Sequence, residues 1–229
     1  GGSSDGSREW LAAHTELGYK VAMEKDGGQT DALAIGFDQA TGDVFGWLGA
    51  DDLLEPGALI RVVEAFNANP DAVLVSGTCL LIEADGAILG AIPTPPRPEF
   101  QQLLRHRTNL AQPATLFRAD AYRQVGGVNR HYNLAMDVDL WFRLASIGRV
   151  VLLRDELLAR VRLHPGAKSV VAAYAASRED LSIRRRHGMS LRSPAGRTLV
   201  RHGVFESALG WPRRTAKGML GIDRRRANG

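Results

Sequence analysis

Apolar positions recur along the chain in blocks whose period switches between helical and extended, which predicts helices alternating with strands. Residues 7–16 read as a helix, and residues 19–25 as a strand. Thr30 stands where it would cap a helix carrying Ala32, Leu33, Ile35, Gly36 and Phe37. The run from Val44 through Phe45 and Trp47 reads as a buried strand that stops abruptly at Asp51-Asp52. Residues 56–68 follow as a helix started by Pro56, with Leu59, Ile60, Val63 and Phe66 at helical spacing. Two strands, 72–82 and 87–92, are joined by the turn Ala84-Asp85-Gly86.

The second half keeps the alternation with more punctuation. Pro93, Pro95, Pro96 and Pro98 make a stiff extended segment before a helix at 100–107 and the sequence Gln112-Pro113-Ala114-Thr115. A short helix from Ala119 ends at Gly126-Gly127. A longer helix begins near Asp137, with Leu140, Trp141 and Leu144 turned to a core, and a strand over 150–163 is bent near Arg154 and Asp155. No internal repeat appears, and the alternation predicts an α/β fold.

Two places carry candidate chemistry. Adjacent carboxylates at the carboxyl end of a strand repel each other, and a divalent cation bridging them to an anionic ligand relieves that repulsion. Asp51 and Asp52 fit this description, and equally fit a solvated acid followed by a helix cap. Asp137 falls at the start of its helix, where a first-turn acid complements the helix dipole, and Asp139 could equally be that residue.

Composition changes the picture little. With 229 residues and 45% hydrophobic content, the chain can bury one sizeable core, or one core plus an appendage. The single cysteine, Cys79, excludes a disulfide framework and a cysteine-built metal site, and reads as a buried structural thiol. No apolar run is long enough to span a bilayer, and no signal peptide is seen. The expected location is cytoplasmic, with peripheral contact at the inner face of the cell membrane as an extension of it.

Charge matters more. Residues 181–229 hold twelve Lys or Arg against Glu206 and Asp223, a net of +10, so residues 1–180 carry −6 of the total of +4. Leu199, Val200, Val204, Phe205, Ala208 and Leu209 recur at helical spacing in that tail. A basic amphipathic helix suits a membrane surface and suits docking on the body equally well. Nucleic acid is not expected, because few aromatic residues accompany the basic ones.

Taken together, several linked motifs resemble inverting glycosyltransferase family 2. They are Gly1-Gly2-Ser3-Ser4-Asp5-Gly6-Ser7, Asp26-Gly27-Gly28-Gln29-Thr30-Asp31-Ala32, Ala40-Thr41-Gly42-Asp43, Trp47-Leu48-Gly49-Ala50-Asp51-Asp52 and Gln112-Pro113-Ala114-Thr115. Met136-Asp137-Val138-Asp139-Leu140-Trp141 and Arg162-Leu163-His164-Pro165-Gly166-Ala167-Lys168-Ser169 continue the series in the same order and spacing. The resemblance covers residues 1–170, which it makes the catalytic domain, and leaves 171–229 as a basic helical extension.

The resemblance implies a GT-A fold: a Rossmann-like α/β/α sandwich around a mixed, mostly parallel sheet. It also implies a nucleotide-diphosphate sugar donor, a saccharide or lipid-linked acceptor, and Mn²⁺ or Mg²⁺. Because the chain opens on loop chemistry without an initiator methionine, the first strand is expected to be missing and the chain to be N-terminally truncated. Asp52 maps to the metal ligand and Asp51 to a contact near the donor ribose or sugar. Ala50 stands where the family commonly has another acid.

Asp137 maps to the general base and Met136 replaces the usual Glu, while Asp139 maps to a structural or acceptor-side place. His164 maps to the metal shell or the diphosphate, and Lys168 to a phosphate. Asp5, Asp26, Gly27 and Gly28 map to the nucleotide side, with turn formation the stronger expectation for Asp5, and Gln112 lines the substrate side. The contrasting readings are a truncated, non-catalytic nucleotide-sugar-binding or membrane-surface protein, and a nucleotidyltransferase with a similar pocket.

Overall fold

A strand that is apolar on both faces belongs in the middle of a sheet, and 72–82 is such a strand. In the computed structural model, which describes residues 3–14, 16, 19–21, 25–92, 94–105, 110–164 and 172–201, it is β3 (Ala72–Ile82). The other strands are β1 (Val44–Phe45), β2 (Leu53–Leu54), β4 (Ile88–Ile92), β5 (Thr115–Arg118) and β6 (Arg149–Arg162). The sheet runs β1-β5-β3-β6-β2, with β4 also paired to β3.

Among the described residues only β3 and β6 run parallel, and the other four pairings are antiparallel. The sheet is therefore mixed, and mostly antiparallel rather than mostly parallel. A tight turn returns β4 to β3, and only antiparallel neighbours can be joined so briefly.

Helices cover both faces, as a three-layer sandwich requires. On one side lie α2 (Gln29–Gln39), α4 (Phe100–Arg105), α5 (Ala119–Gln124), α6 (Met136–Ala145), α7 (Ala173–Arg186) and α8 (Pro194–Leu199). They share a core with Leu74, Phe117 and Val150 of the sheet. On the other side α3 (Ala58–Ala68) packs on Ala72, Val75, Cys79, Leu158 and Ala159. Cys79 is buried there, and burial pushes its thiol up to about 12, which suits a structural role.

Several expectations shift. The described residues of 19–25 form no strand and enter no ladder, and α1 (Ser7–Ala13) is shorter than expected. Thr30 does not cap α2, whose N-cap is Gly28; instead its hydroxyl donates to the Tyr132 carbonyl at 2.6 Å. In α3 the buried set is Ala58, Val62, Ala65 and Phe66, while Leu59, Ile60 and Val63 are exposed. Both sets have helical spacing, and the alanines let the helix approach the sheet closely. The bend in β6 falls where expected, since the register jumps from Gly77↔Leu153 to Thr78↔Leu157. A side chain on Gly77 would meet Leu158 Cγ at 2.4 Å, so glycine suits this point.

Packing continues past residue 170, where the boundary of the catalytic domain was expected. Ile183, Met189 and Leu199 belong to the same core as α6. Arg184 is fully buried: its Nε lies 2.8 and 2.9 Å from the Asp180 oxygens, and its Nη1 donates to the Leu103 and Leu104 carbonyls at 3.0 and 2.7 Å. The last turn of α4 is thereby satisfied from another helix. The expected helix through 204–209 lies outside the described residues. Replacing Arg184→Ala strands the Asp180 carboxylate and is expected to cost about 3 kcal/mol in urea denaturation.

Candidate active site

Ligands in open α/β sheets bind where parallel strands end, and here β3 and β6 end together. The register Leu53↔Arg160 and Leu54↔Ala159 carries the residues just before β2 alongside the last residues of β6. Arg162 Nε accordingly donates to the Asp51 carbonyl at 3.1 Å, and the Arg162 N–H donates to Asp52 Oδ1 at 3.1 Å. Its Nη1 reaches the Glu83 and Ala84 carbonyls at 3.1 and 2.7 Å. One arginine thus ties the acidic loop, the end of β3 and the end of β6.

The two carboxylates fold over Gly49. A Cβ there would lie 2.7 Å from Asp52 Oδ2 and 2.9 Å from Asp51 Oδ1. Asp51 Oδ2 meets His164 Nε2 at 3.0 Å, so the structure brings Asp51, Asp52 and His164 together. Burial raises the carboxyl of half-buried Asp52 above its usual value, the Arg162 N–H opposes the rise, and the Asp51 charge adds to it. Lys168 lies outside the described residues.

Among the described residues, no three His, Cys, Asp or Glu side chains form a preformed metal cage. Mg²⁺ and chemically similar ions need none, because they commonly take one or two carboxylates and complete the shell with substrate phosphates and water. Two converging carboxylates with a neighbouring imidazole fit that demand.

Asp137 and Asp139, two residues apart on α6, stand in different surroundings. Asp139 is buried and held by Arg143, whose Nε and Nη2 both lie 2.8 Å from Oδ2, with His187 Nε2 3.5 Å from Oδ1. Burial raises its carboxyl, but His187 and Arg143 outweigh burial and hold it below the usual value. Arg143 also donates to the Val125 and Gly127 carbonyls, so Asp139 is built into the scaffold.

Asp137 is only partly exposed and has no ion-pair partner among the described residues. Burial pushes its carboxyl up to about 6, the Val138 N–H opposes the shift, and Asp180 and Glu179 reinforce it.

A tryptophan stack joins the acidic loop to α6. The rings of Trp47 and Trp141 stack with centroids 5.5 Å apart, and Gln112 Nε2 donates to the Trp47 carbonyl at 2.5 Å. Trp47 precedes Asp51 by four residues, and Trp141 follows Asp137 by one helical turn. Gln112 therefore supports the acidic loop through its backbone.

On the expected nucleotide side, the Gly28 amide donates to Asp26 Oδ1 at 3.0 Å and the Gly27 amide to Asp31 Oδ2 at 2.9 Å. Gly28 has φ 120°, which favours glycine. Asp5 accepts from the Ser7 N–H at 3.1 Å, which is the turn role. Sequence reasoning missed Arg162 and Gly49 as organisers of the acid pair, and it missed Glu179. Glu179 Oε2 accepts from the amides of Leu134 and Ala135 at 2.8 and 3.0 Å, and Oε1 from that of Asn133 at 3.3 Å.

Residues 1–126 match the family described as Glycosyl transferase family 2. The chain belongs to glycosyl transferase family 2. This family 2 chain is 31% identical over 146 residues to the O-antigen biosynthesis protein RfbC of Myxococcus xanthus, covering 61% of the chain and 11% of that protein. It is 24% identical over 143 residues to the amylovoran biosynthesis glycosyltransferase AmsE of Erwinia amylovora, covering 62% of the chain and 53% of that protein.

Among solved structures, S. aureus TarS 1-349 in complex with UDP-GlcNAc is similar at a TM-score of 0.60 and 12% identity, over 94% of this chain and 66% of that one. The mannosyltransferase PcManGT of Pyrobaculum calidifontis, in complex with GDP-Man and Mn²⁺, is similar at a TM-score of 0.60 and 18% identity, over 91% of this chain and 62% of that one. These likenesses show a shared GT-A fold.

The state of Asp137 has a stability consequence. A carboxyl raised from 3.8 to about 6 binds a proton more tightly in the folded chain, so its contribution is fully present below pH 3.8 and is lost as pH rises through 6. Asp137→Asn removes that loss. The variant is expected to be about 2 kcal/mol more stable than the wild type at pH 8, with the gain shrinking toward pH 4 in parallel urea melts.

Proposed function

We propose that this chain transfers a glycosyl group from a nucleoside-diphosphate sugar to a hydroxyl acceptor, with inversion, using Asp137 as general base. The observation that carries the reading is the contrast between Asp137 and Asp139. One carboxylate is partly exposed, uncompensated and pushed up to about 6, which suits a group that must take a proton near neutral pH. The other is neutralised by Arg143 and His187.

In the single displacement, the acceptor oxygen forms a bond to the anomeric carbon as the bond from that carbon to the diphosphate oxygen breaks. The acceptor proton passes to the Asp137 carboxylate, and the diphosphate leaves with the bonding pair. Asp52 and His164 would hold a divalent cation, and Asp51, hydrogen-bonded to His164, sits beside them toward the donor. A cation bound there supplies positive charge against the departing diphosphate. Asp26, Gly27 and Gly28 shape the nucleotide side through their turn, and Lys168 is assigned to a phosphate.

The solved complexes of TarS with UDP-GlcNAc and of PcManGT with GDP-Man and Mn²⁺ support a nucleotide-sugar donor and a metal. The roles of RfbC in O-antigen biosynthesis and of AmsE in amylovoran biosynthesis support a place in polysaccharide synthesis, and the acceptor is assigned as a saccharide or a lipid-linked saccharide. No described helix is long and apolar enough to cross a membrane. The first part of the basic extension docks on the body through Ile183, Met189 and Leu199, and the basic charge that follows suits peripheral contact with an anionic membrane surface, a lipid-linked acceptor and a cytoplasmic location.

The test is transfer from UDP-, GDP- and dTDP-sugars with Mn²⁺, comparing wild type with Asp52→Asn and Asp137→Asn. Asp137→Asn is expected to lower kcat by about a hundredfold or more with donor binding intact. Asp52→Asn is expected to weaken Mn²⁺-dependent nucleotide binding as well. Full activity in Asp137→Asn would overturn the reading of Asp137 as the base, and unchanged Mn²⁺-dependent nucleotide binding in Asp52→Asn would overturn that of Asp52 as the metal ligand.

A further inference from the structure

The helix that carries Asp137 begins without a cap of its own. The N-cap of α6 is Ala135, which has no polar side chain, and no side-chain hydrogen bond caps it. Such starts leave amide donors that need a partner. Inside the helix the Val138 amide is met by Asp137 Oδ1, and the N-cap amide of Ala135, with those of Asn133 and Leu134 in the loop before it, is met from α7, where Glu179 gathers all three. Three successive amides around one carboxylate make a concave anion nest, closed by a side chain of the same chain.

We propose that Glu179 is a positioning residue for glycosyl transfer: by gathering these amides it fixes the loop that delivers Asp137 to the site. The inference rests on the reading of Asp137 as the base. Its consequence is that the catalytic unit includes α7, because the base is aimed from there.

The charges around Asp137 agree with this role. From α7 come Glu179, Asp180 and Arg184, and the Arg184 charge is already matched by Asp180. On its own helix Asp139 is matched by Arg143, and from beyond α7 His187 also turns to Asp139. After burial and Asp180, the charge of Glu179 also favours the protonated carboxyl of Asp137. Glu179 therefore fixes the loop that places Asp137, and its charge adds to a rise set first by burial and then by Asp180.

The experiment uses the full chain with Glu179→Gln and Glu179→Asp. Amide exchange at residues 133–135 is expected to accelerate about tenfold or more in both, with β3 amides still protected. The Asp137 carboxyl, followed by ¹³C NMR, is expected to titrate at lower pH in Glu179→Gln, and to stay raised in Glu179→Asp, which retains the charge. With the donor that the wild type uses, both variants lose kcat while donor KM holds, and the acid limb of the pH profile moves down only in Glu179→Gln. Glu179→Asp keeps the test open where Glu179→Gln does not fold.

Unchanged exchange at 133–135, or unchanged kcat with an unmoved Asp137 titration, overturns the proposal. Failure of the underlying reading looks different: Asp137→Asn remains fully active. Glu179 then merely closes a loop, and the proposal falls with that reading.

Discussion

The parallel ladder between β3 and β6 is the constraint on which the rest of the arrangement depends. Through it the two strands end side by side, and each then brings a neighbour. β6 holds β2 in a register that draws Asp51 and Asp52 against Arg162, while β3 carries the β4 hairpin whose turn Arg162 also grips. β3 further pairs with β5, which follows directly on the Gln112–Ala114 turn. The acid pair is therefore a product of strand order and register, and the local sequence alone would leave it a loop.

A second constraint is the sorting of charge around α6. Two aspartates at its start have the same local propensity, and tertiary contacts separate them. Arg143 and His187 take up Asp139, and α7 meets Asp137 with carboxylates instead. Such a surplus of negative charge around a partly buried acid opposes stability and suits a proton acceptor. The stacked Trp47 and Trp141 then connect this helix to the acidic loop through the core.

How much of this was legible follows from the range of each interaction. The hairpin 72–92, the helix bearing Asp137 and the bend near Arg154 were readable, because period and turn residues are local signals. So was the acid motif after the Trp47 run. Sheet direction was not, since pairing is a long-range property that periodicity does not encode. The buried face of α3 was misread because two apolar stripes share helical spacing and only Ala58 and Ala65 allow close packing. Glu179 and Arg162 escaped because their partners lie about 45 and 110 residues away, and no local pattern marks a residue that serves so distant a loop.

The proposed transfer requires the Asp51-Asp52 loop and Asp137 to serve one shared ligand. Paramagnetic relaxation by Mn²⁺ in the presence of UDP or GDP, read at ¹³C-labelled aspartate carboxyls and histidine rings, tests it most directly. The strongest relaxation is expected at Asp52 and His164, with a clear effect at Asp137 and a weaker one at the enclosed Asp139. Strong relaxation at Asp52 with none at Asp137, or relaxation centred away from Asp52, would contradict it.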